Sequence, residues 1–326
     1  MPQHMPDSSL ANSTIELNLA HSPDSDDLVM WWPLVGVRHP DGTPIDGPLG
    51  KPQVETGRFK FNLVARDVEE LNKLVIGNDQ ADDKLDSIQY DITAISCATY
   101  PAIADRFAMT KSGGSFGENY GPRIVVAQDS PYHTLEDLKA NDCTVAIPGI
   151  NTSAFMGLSM AIGKFKHQEL LFSEIPAAVA NKQYDAGLLI HEAQLTYAQL
   201  GLREIGDLGK WWHKETNKPL PLGLNVIRRD LDQRFAPGTC DQLASILNAS
   251  VQCCVEMGEA SRMYLQLNKG DRTEWDDPEL VDRYLAMYVS GLTLEMGDTG
   301  RDAIETFLGR AADEGLCQRV ENIDPR

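Results

Sequence analysis

The chain has 326 residues, 42% hydrophobic and 24% charged, which is enough for two compact lobes and too apolar for a disordered acidic chain. Its 29 Lys and Arg against 48 Asp and Glu leave a net charge of −19 at pH 7. Such a field repels phosphate backbones and anionic lipid headgroups, so nucleic-acid and membrane partners are not expected. The sequence has no apolar run of about 18 residues to span a bilayer, and its first twenty residues, MPQHMPDSSLANSTIELNLA, have neither a basic start nor an apolar stretch. A cytoplasmic protein is expected. The six cysteines, Cys97, Cys143, Cys240, Cys253, Cys254 and Cys317, form no C-x-x-C pair and read as reduced thiols, with no zinc site or other metal expected.

After a polar N-terminal dozen predicted to be loose, Ile15, Leu17 and Leu19 alternate as a strand. Ser-Pro-Asp-Ser-Asp-Asp at 22–27 then supplies capping oxygens for a helix ending at Val35. Residues 36–57, dense in Gly and Pro, predict an extended surface loop. Strands are expected at 59–65 and 90–96, with a helix at 68–76 and another at about 97–105. The glycine-rich 111–122 segment is expected to be a loop or flap; it lacks the Gly-Lys-Ser/Thr ending of a P-loop. From 123 to 200 strands (123–127, 143–147, 169–172, 185–190) alternate with helices (134–140, 152–163, 173–182, 191–200), the pattern of parallel sheets. A strand at 222–227 returns, and helices follow to the end. The expected architecture is two α/β lobes joined by two crossings, with a ligand cleft where strand ends and helix starts converge. Lobe 1 is residues 1–124 plus 226–326, and lobe 2, inserted, is 125–225.

Four stretches fall at such strand ends: Ser22 to Asp27, Ser96 to Tyr100, Pro148 to Ala154 and His191 to Tyr197. In the first and third, Ser22 and the series Asn151, Thr152 and Ser153 suit a ligand oxygen at a helix N-terminus, although helix capping alone accounts for any one of them. His191 ends the apolar run Gly187 to Ile190. An imidazole fixed there is placed to act as a general base, and the plainer alternative is a structural histidine. Trp211-Trp212 and Pro219 to Gly223 either wall an aromatic ligand or pack the seam between lobes.

The motifs HSPDSDD (21–27), DITAISCATYP (91–101), SGGSFGENYGP (112–122), PGINTSAF (148–155) and the long block from Asp185 to Leu231 identify a resemblance. The chain resembles the 1,4-dihydroxy-6-naphthoate synthases of the futalosine route to menaquinone, within a group that also contains chorismate dehydratase. The resemblance implies an α/β, two-lobed periplasmic-binding-protein-like fold used as a lyase without metal or organic cofactor. Its substrate would be a small aromatic carboxylate, cyclic dehypoxanthine futalosine. It puts the catalytic base on His191 and substrate contacts on Ala94, Ile95, Ser96, Thr152 and Ser153. Many members carry Lys where this chain has Ala94, leaving Arg123 or Arg58 as candidate replacements for its charge. Chorismate dehydratase and a non-catalytic solute-binding protein are the alternatives; the sister dehydratases usually lack the His-Glu block, and a transport receptor would need an export signal.

Overall fold

The computed structural model describes residues 13–77 and 90–326; the N-terminal dozen expected to be loose lies outside them. Strands β1 (Ile15–His21), β2 (Phe59–Ala65), β3 (Ile92–Ser96), β4 (Phe107–Met109) and β5 (Ser115–Gly117) belong to one sheet, and β11 (Leu220–Arg228) returns to it. Its order is β2-β1-β3-β11-β4, with β5 also paired to β11. The second sheet holds β6 (Arg123–Ala127), β7 (Thr144–Ile147), β8 (Lys166–Glu169), β9 (Ala186–Leu189) and β10 (Leu202–Asp207), in the order β10-β6-β9-β7-β8. The helices are α1 (Ser25–Val35), α2 (Val68–Ile76), α3 (Leu135–Ala140), α4 (Ser153–Ile162), α5 (Ile175–Ala180), α6 (Ala193–Thr196) and α7 (Leu208–Thr216). After β11 come α8 (Leu231–Arg234), α9 (Thr239–Glu256), α10 (Gly258–Asn268), α11 (Pro278–Tyr288), α12 (Gly291–Leu294) and α13 (Gly297–Asp313). Among the described residues no helix is long and apolar enough to cross a membrane.

Both sheets are mixed, which corrects the expectation of parallel ones. β1 pairs parallel with β2 and β3, and β7 with β8 and β9, but β11 runs antiparallel to β3, β4 and β5, and β6 antiparallel to β9 and β10. In each sheet the strand by which the chain enters from the other sheet, β6 in the second and β11 in the first, is the one that runs against its neighbours. Residues 97–102 form a 3-10 turn containing Pro101 in place of the expected helix, since proline lacks the N–H an α-helix interior needs. The strand expected at 169–172 lies instead at Lys166–Glu169, an exposed polar edge. Strands β4, β5 and β10 and helix α7 were not anticipated. Segment 36–57 holds only a 3-10 turn at Pro48–Gly50 and a bridge between Arg38 and Pro44.

Helix α1 is buried along nearly its whole length, and Trp31 and Trp32 are fully enclosed. It packs on α9, α10 and α11, and Trp32 Nε1 donates to Ser261 Oγ at 3.0 Å. Each large apolar side chain so enclosed contributes on the order of 2 kcal/mol, so the N-terminus of α1 rests on a firm base. A second core joins the two sheets, with Ile124, Val145 and Leu188 on one side, Ile95, Met109 and Val226 on the other, and Trp212 and Phe307 between. Trp212 donates its Nε1 to Pro219 O at 3.1 Å and meets Phe307 edge-on, so the Trp pair packs the seam and does not line the cleft.

Candidate active site

The cleft between the sheets holds a cavity of about 90 Å³. Its walls bring together seven of the eight residues singled out in the sequence, namely Ser22, Ala94, Ile95, Ser96, Thr152, Ser153 and His191. The eighth, Asn151, turns away to α2. Its backbone N–H and Nδ2 donate to Glu69 at 3.2 and 2.7 Å, and Thr99 Oγ1 donates to its carbonyl at 3.1 Å. Gly149 lets this seam close, because a Cβ there would stand 2.3 Å from Glu69. Asn72 completes the contact, accepting from Ser96 N at 2.9 Å and donating to Ser96 Oγ at 3.1 Å.

Most of the predicted hydroxyls already serve the fold. Thr152 Oγ1 caps α4, accepting from Phe155 N at 3.1 Å while donating to Gly149 O at 2.8 Å. Ser153 Oγ donates to Leu222 O at 2.7 Å and accepts from Ala98 N at 3.2 Å. Ser22 Oγ donates to Asp24 Oδ2 at 2.6 Å. Ser96 and Ser115 Oγ act in the structure as acceptors, the latter from Gly223 N at 3.0 Å, which leaves their hydroxyl protons for a ligand. The first N–H groups of α4 have no intrahelical acceptor and sit on the same wall.

His191 follows β9 with φ of 57°, a left-handed backbone that a side chain with a Cβ rarely adopts. Its Nδ1–H donates to Asp24 Oδ2 at 2.8 Å, Phe172 packs edge-on at 4.7 Å, and Nε2 is buried on the cleft wall without a partner. Turned so that its oxygen faces the His191 N–H, the Gln194 amide accepts from it at 3.2 Å. Burial opposes a charge on this imidazole, but the charge and hydrogen bond of Asp24, aided by Glu192 and Asp26, hold its pKa up at about 9. The same crowding acts oppositely on the carboxyls. Burial, reinforced by Asp27 and Asp24, pushes Asp26 well above the ordinary range, and burial followed by Asp24 raises Glu192.

Among the described residues no Lys or Arg lines this cleft. Arg123 is committed to Glu204 on the neighbouring strand, and Arg58 lies over the Phe59 ring at 5.5 Å, so neither replaces the lysine absent at Ala94. Asp26 and Gln194 lie in two of the stretches expected to face the cleft without having been singled out, whereas Asn225, Tyr284 and Tyr288 escaped the sequence reading. Asn225 donates Nδ2 to Gly113 O at 2.7 Å and leaves Oδ1 buried without a partner. Tyr284 and Tyr288 stand one turn apart on α11, far along the chain, and no local motif marks them. Asp24 lay in the quoted HSPDSDD motif, but capping chemistry explained it equally well.

Two mixed sheets around such a cleft define a periplasmic-binding-protein-like protein. The alkanesulfonate-binding protein of Xanthomonas axonopodis pv. citri superposes with a TM-score of 0.60 at 15% identity, over 94% of this chain and 96% of its own. A Candida albicans protein described as having the generic periplasmic binding protein fold reaches 0.62 at 11% identity, over 95% and 93%. Nearer in sequence, a crystal structure of an Archaeoglobus fulgidus protein reaches 0.73 at 30% identity, over 92% and 98%. The chain belongs to the menaquinone-biosynthesis family, which matches residues 17–313. Two curated relatives carry the name 1,4-dihydroxy-6-naphtoate synthase. That of Thermus thermophilus is 29% identical over 301 residues, 92% of this chain and 96% of its own, and that of Streptomyces coelicolor 32% over 236 residues, 70% and 78%.

Proposed function

We propose that the protein is a cytoplasmic 1,4-dihydroxy-6-naphthoate synthase, a lyase that opens cyclic dehypoxanthine futalosine with His191 as general base. The observation that carries this reading is the His191–Asp24 pair: Nδ1 bound at 2.8 Å, Nε2 unpartnered on the cleft wall. Asp24 fixes the tautomer and raises the basicity of Nε2, the atom left to take a proton beside a substrate carbonyl. Ser96, Ser115 and the N-terminus of α4 offer donors to the substrate's oxygens, its carboxylate included, in place of a lysine, and Asn225 Oδ1 is free to accept from a substrate hydroxyl. Residues 1–124 with 226–326 are taken as one lobe and 125–225 as the other; β1 to β5 in one sheet and β6 to β10 in the other support this division, while the return strand β11 joins the first sheet from Leu220, ahead of the boundary at 226.

The test is turnover of cyclic dehypoxanthine futalosine by the purified chain, followed by product absorbance and mass. His191→Gln, close in volume and unable to act as base, should abolish product while leaving the melting curve in place. Unchanged turnover would overturn the assignment of the base. Product formed from chorismate instead would move the chain to the sister dehydratases.

A further inference from the structure

We infer that Glu192 is a positioning residue for the reaction: its carboxylate fastens the loop that carries His191 to the start of α1 and so holds the base against Asp24 across the cleft. This rests on the reading of His191 as base. The geometry is a paired contact between two loops from different sheets. His191 and Glu192 follow β9, whereas Asp24 and Ser25 follow β1. His191 meets Asp24 at 2.8 Å, and the next residue, Glu192, takes the next position, Ser25, through Oγ at 2.8 Å and the backbone N–H at 3.3 Å. The same Oε1 also accepts Trp275 Nε1 at 3.1 Å, from the 3-10 turn Thr273–Asp276 beyond α10. One oxygen thus ties the base-bearing loop to two separate parts of the opposite wall.

The loop needs such a tie. A left-handed backbone at a residue with a Cβ is strained and persists only when its surroundings fix it. At His191 the fixing groups are Asp24 on the ring, Gln194 on the N–H, and the neighbouring Glu192. Glu192 also meets the backbone N–H at the start of an 11-residue helix, where an acceptor oxygen is favoured. None of these contacts is covalent or within one sheet, so parting of the walls releases Glu192 from Ser25 and His191 from Asp24 together. His191 then loses the carboxylate that makes it a strong base. In this way the proton acceptor is armed by closure.

Both bonds to Ser25 need only an acceptor, which a glutamine oxygen also supplies. In the full chain, Glu192→Ala should lower kcat at least 10-fold, the scale on which small misplacement of a reacting group acts, and Glu192→Gln should recover most of that loss. The second readout is the His191 titration by NMR on histidine-labelled protein, independent of substrate. The groups facing the ring are Asp24, Asp26, Glu192, Asp67 at the start of α2, and Phe172. Glu192→Ala should move that titration from about 9 toward the ordinary 6.5, and Glu192→Gln should move it less. Wild-type kcat and titration in Glu192→Ala, or equal impairment of the Ala and Gln variants, would overturn the inference. Should Glu192→Ala fail to fold, Ser25→Ala removes one of the three donors and tests the same point at smaller amplitude, with unchanged kcat and titration counting against it. Turnover surviving His191→Gln would instead refute the base reading and leave the titration arm to judge Glu192 separately.

Discussion

Replacing Asp24 by Asn exchanges the carboxylate bound to His191 Nδ1 at 2.8 Å for a neutral amide of nearly the same shape. With a pKa of about 9, the imidazole is neutral in only about one molecule in a hundred at pH 7. Without Asp24 the opposing effect of burial remains, countered only by Glu192 and Asp26, and the pKa falls toward the ordinary 6.5. The difference of roughly 2.5 units is about 3 kcal/mol of preference for the charged ring. The assay is kcat/KM for cyclic dehypoxanthine futalosine between pH 5.5 and 10. The wild-type rate should climb with pH toward a limb near 9. In Asp24→Asn the limb should drop by two units or so, to a plateau about 10- to 100-fold lower, because the base is both weaker and unoriented. Stability supplies a second reading. The folded pKa of His191 exceeds its unfolded value, so the pair stabilises fully below about pH 6.5 and that contribution is lost as pH rises through about 9. The wild-type Tm should therefore fall over that window relative to Asp24→Asn. A limb that stays in place in the variant, or a wild-type profile flat from pH 7 to 10, would refute the argument.

Asp26→Asn should raise Tm at pH 8, with the gain gone at pH 4: the raised pKa of this buried carboxyl means its ionisation costs stability as pH increases, and asparagine has no such cost. Gly149→Ala should destabilise by about 1–3 kcal/mol, since the new Cβ would stand 2.3 Å from Glu69 and force the α2 seam apart; thermal melting reads this directly, and an unchanged Tm would mean that Glu69 yields without cost.

The elements that follow from local pattern were legible in the sequence. The alternation in Phe59–Ala65, the apolar run in Arg123–Ala127 and the helical spacing in Val68–Ile76 gave bounds the structure reproduces. Sheet polarity was not legible, because whether β11 runs with or against β3 depends on partners more than a hundred residues apart. The apolar Leu170-Leu171-Phe172 drew the predicted strand downstream of its true place. Phe172 belongs instead to the packing around His191, and the strand itself is a polar edge that no hydrophobic pattern marks. The cleft was legible as far as α/β topology carries it, since strand ends and helix starts converge there. Hidden were the residues that α11 brings in, and the fact that the hydroxyls of Thr152 and Ser153 are spent on the backbone.

The step-for-step match of His191 with Asp24 and Glu192 with Ser25 makes the two loops commensurate. Inserting or deleting one residue between His21 and Ser25, or between Leu189 and Glu192, would throw both contacts out of phase at once. These short stretches are therefore bound by a length rule, and the 36–57 segment, none of which lines the cleft, stands outside it.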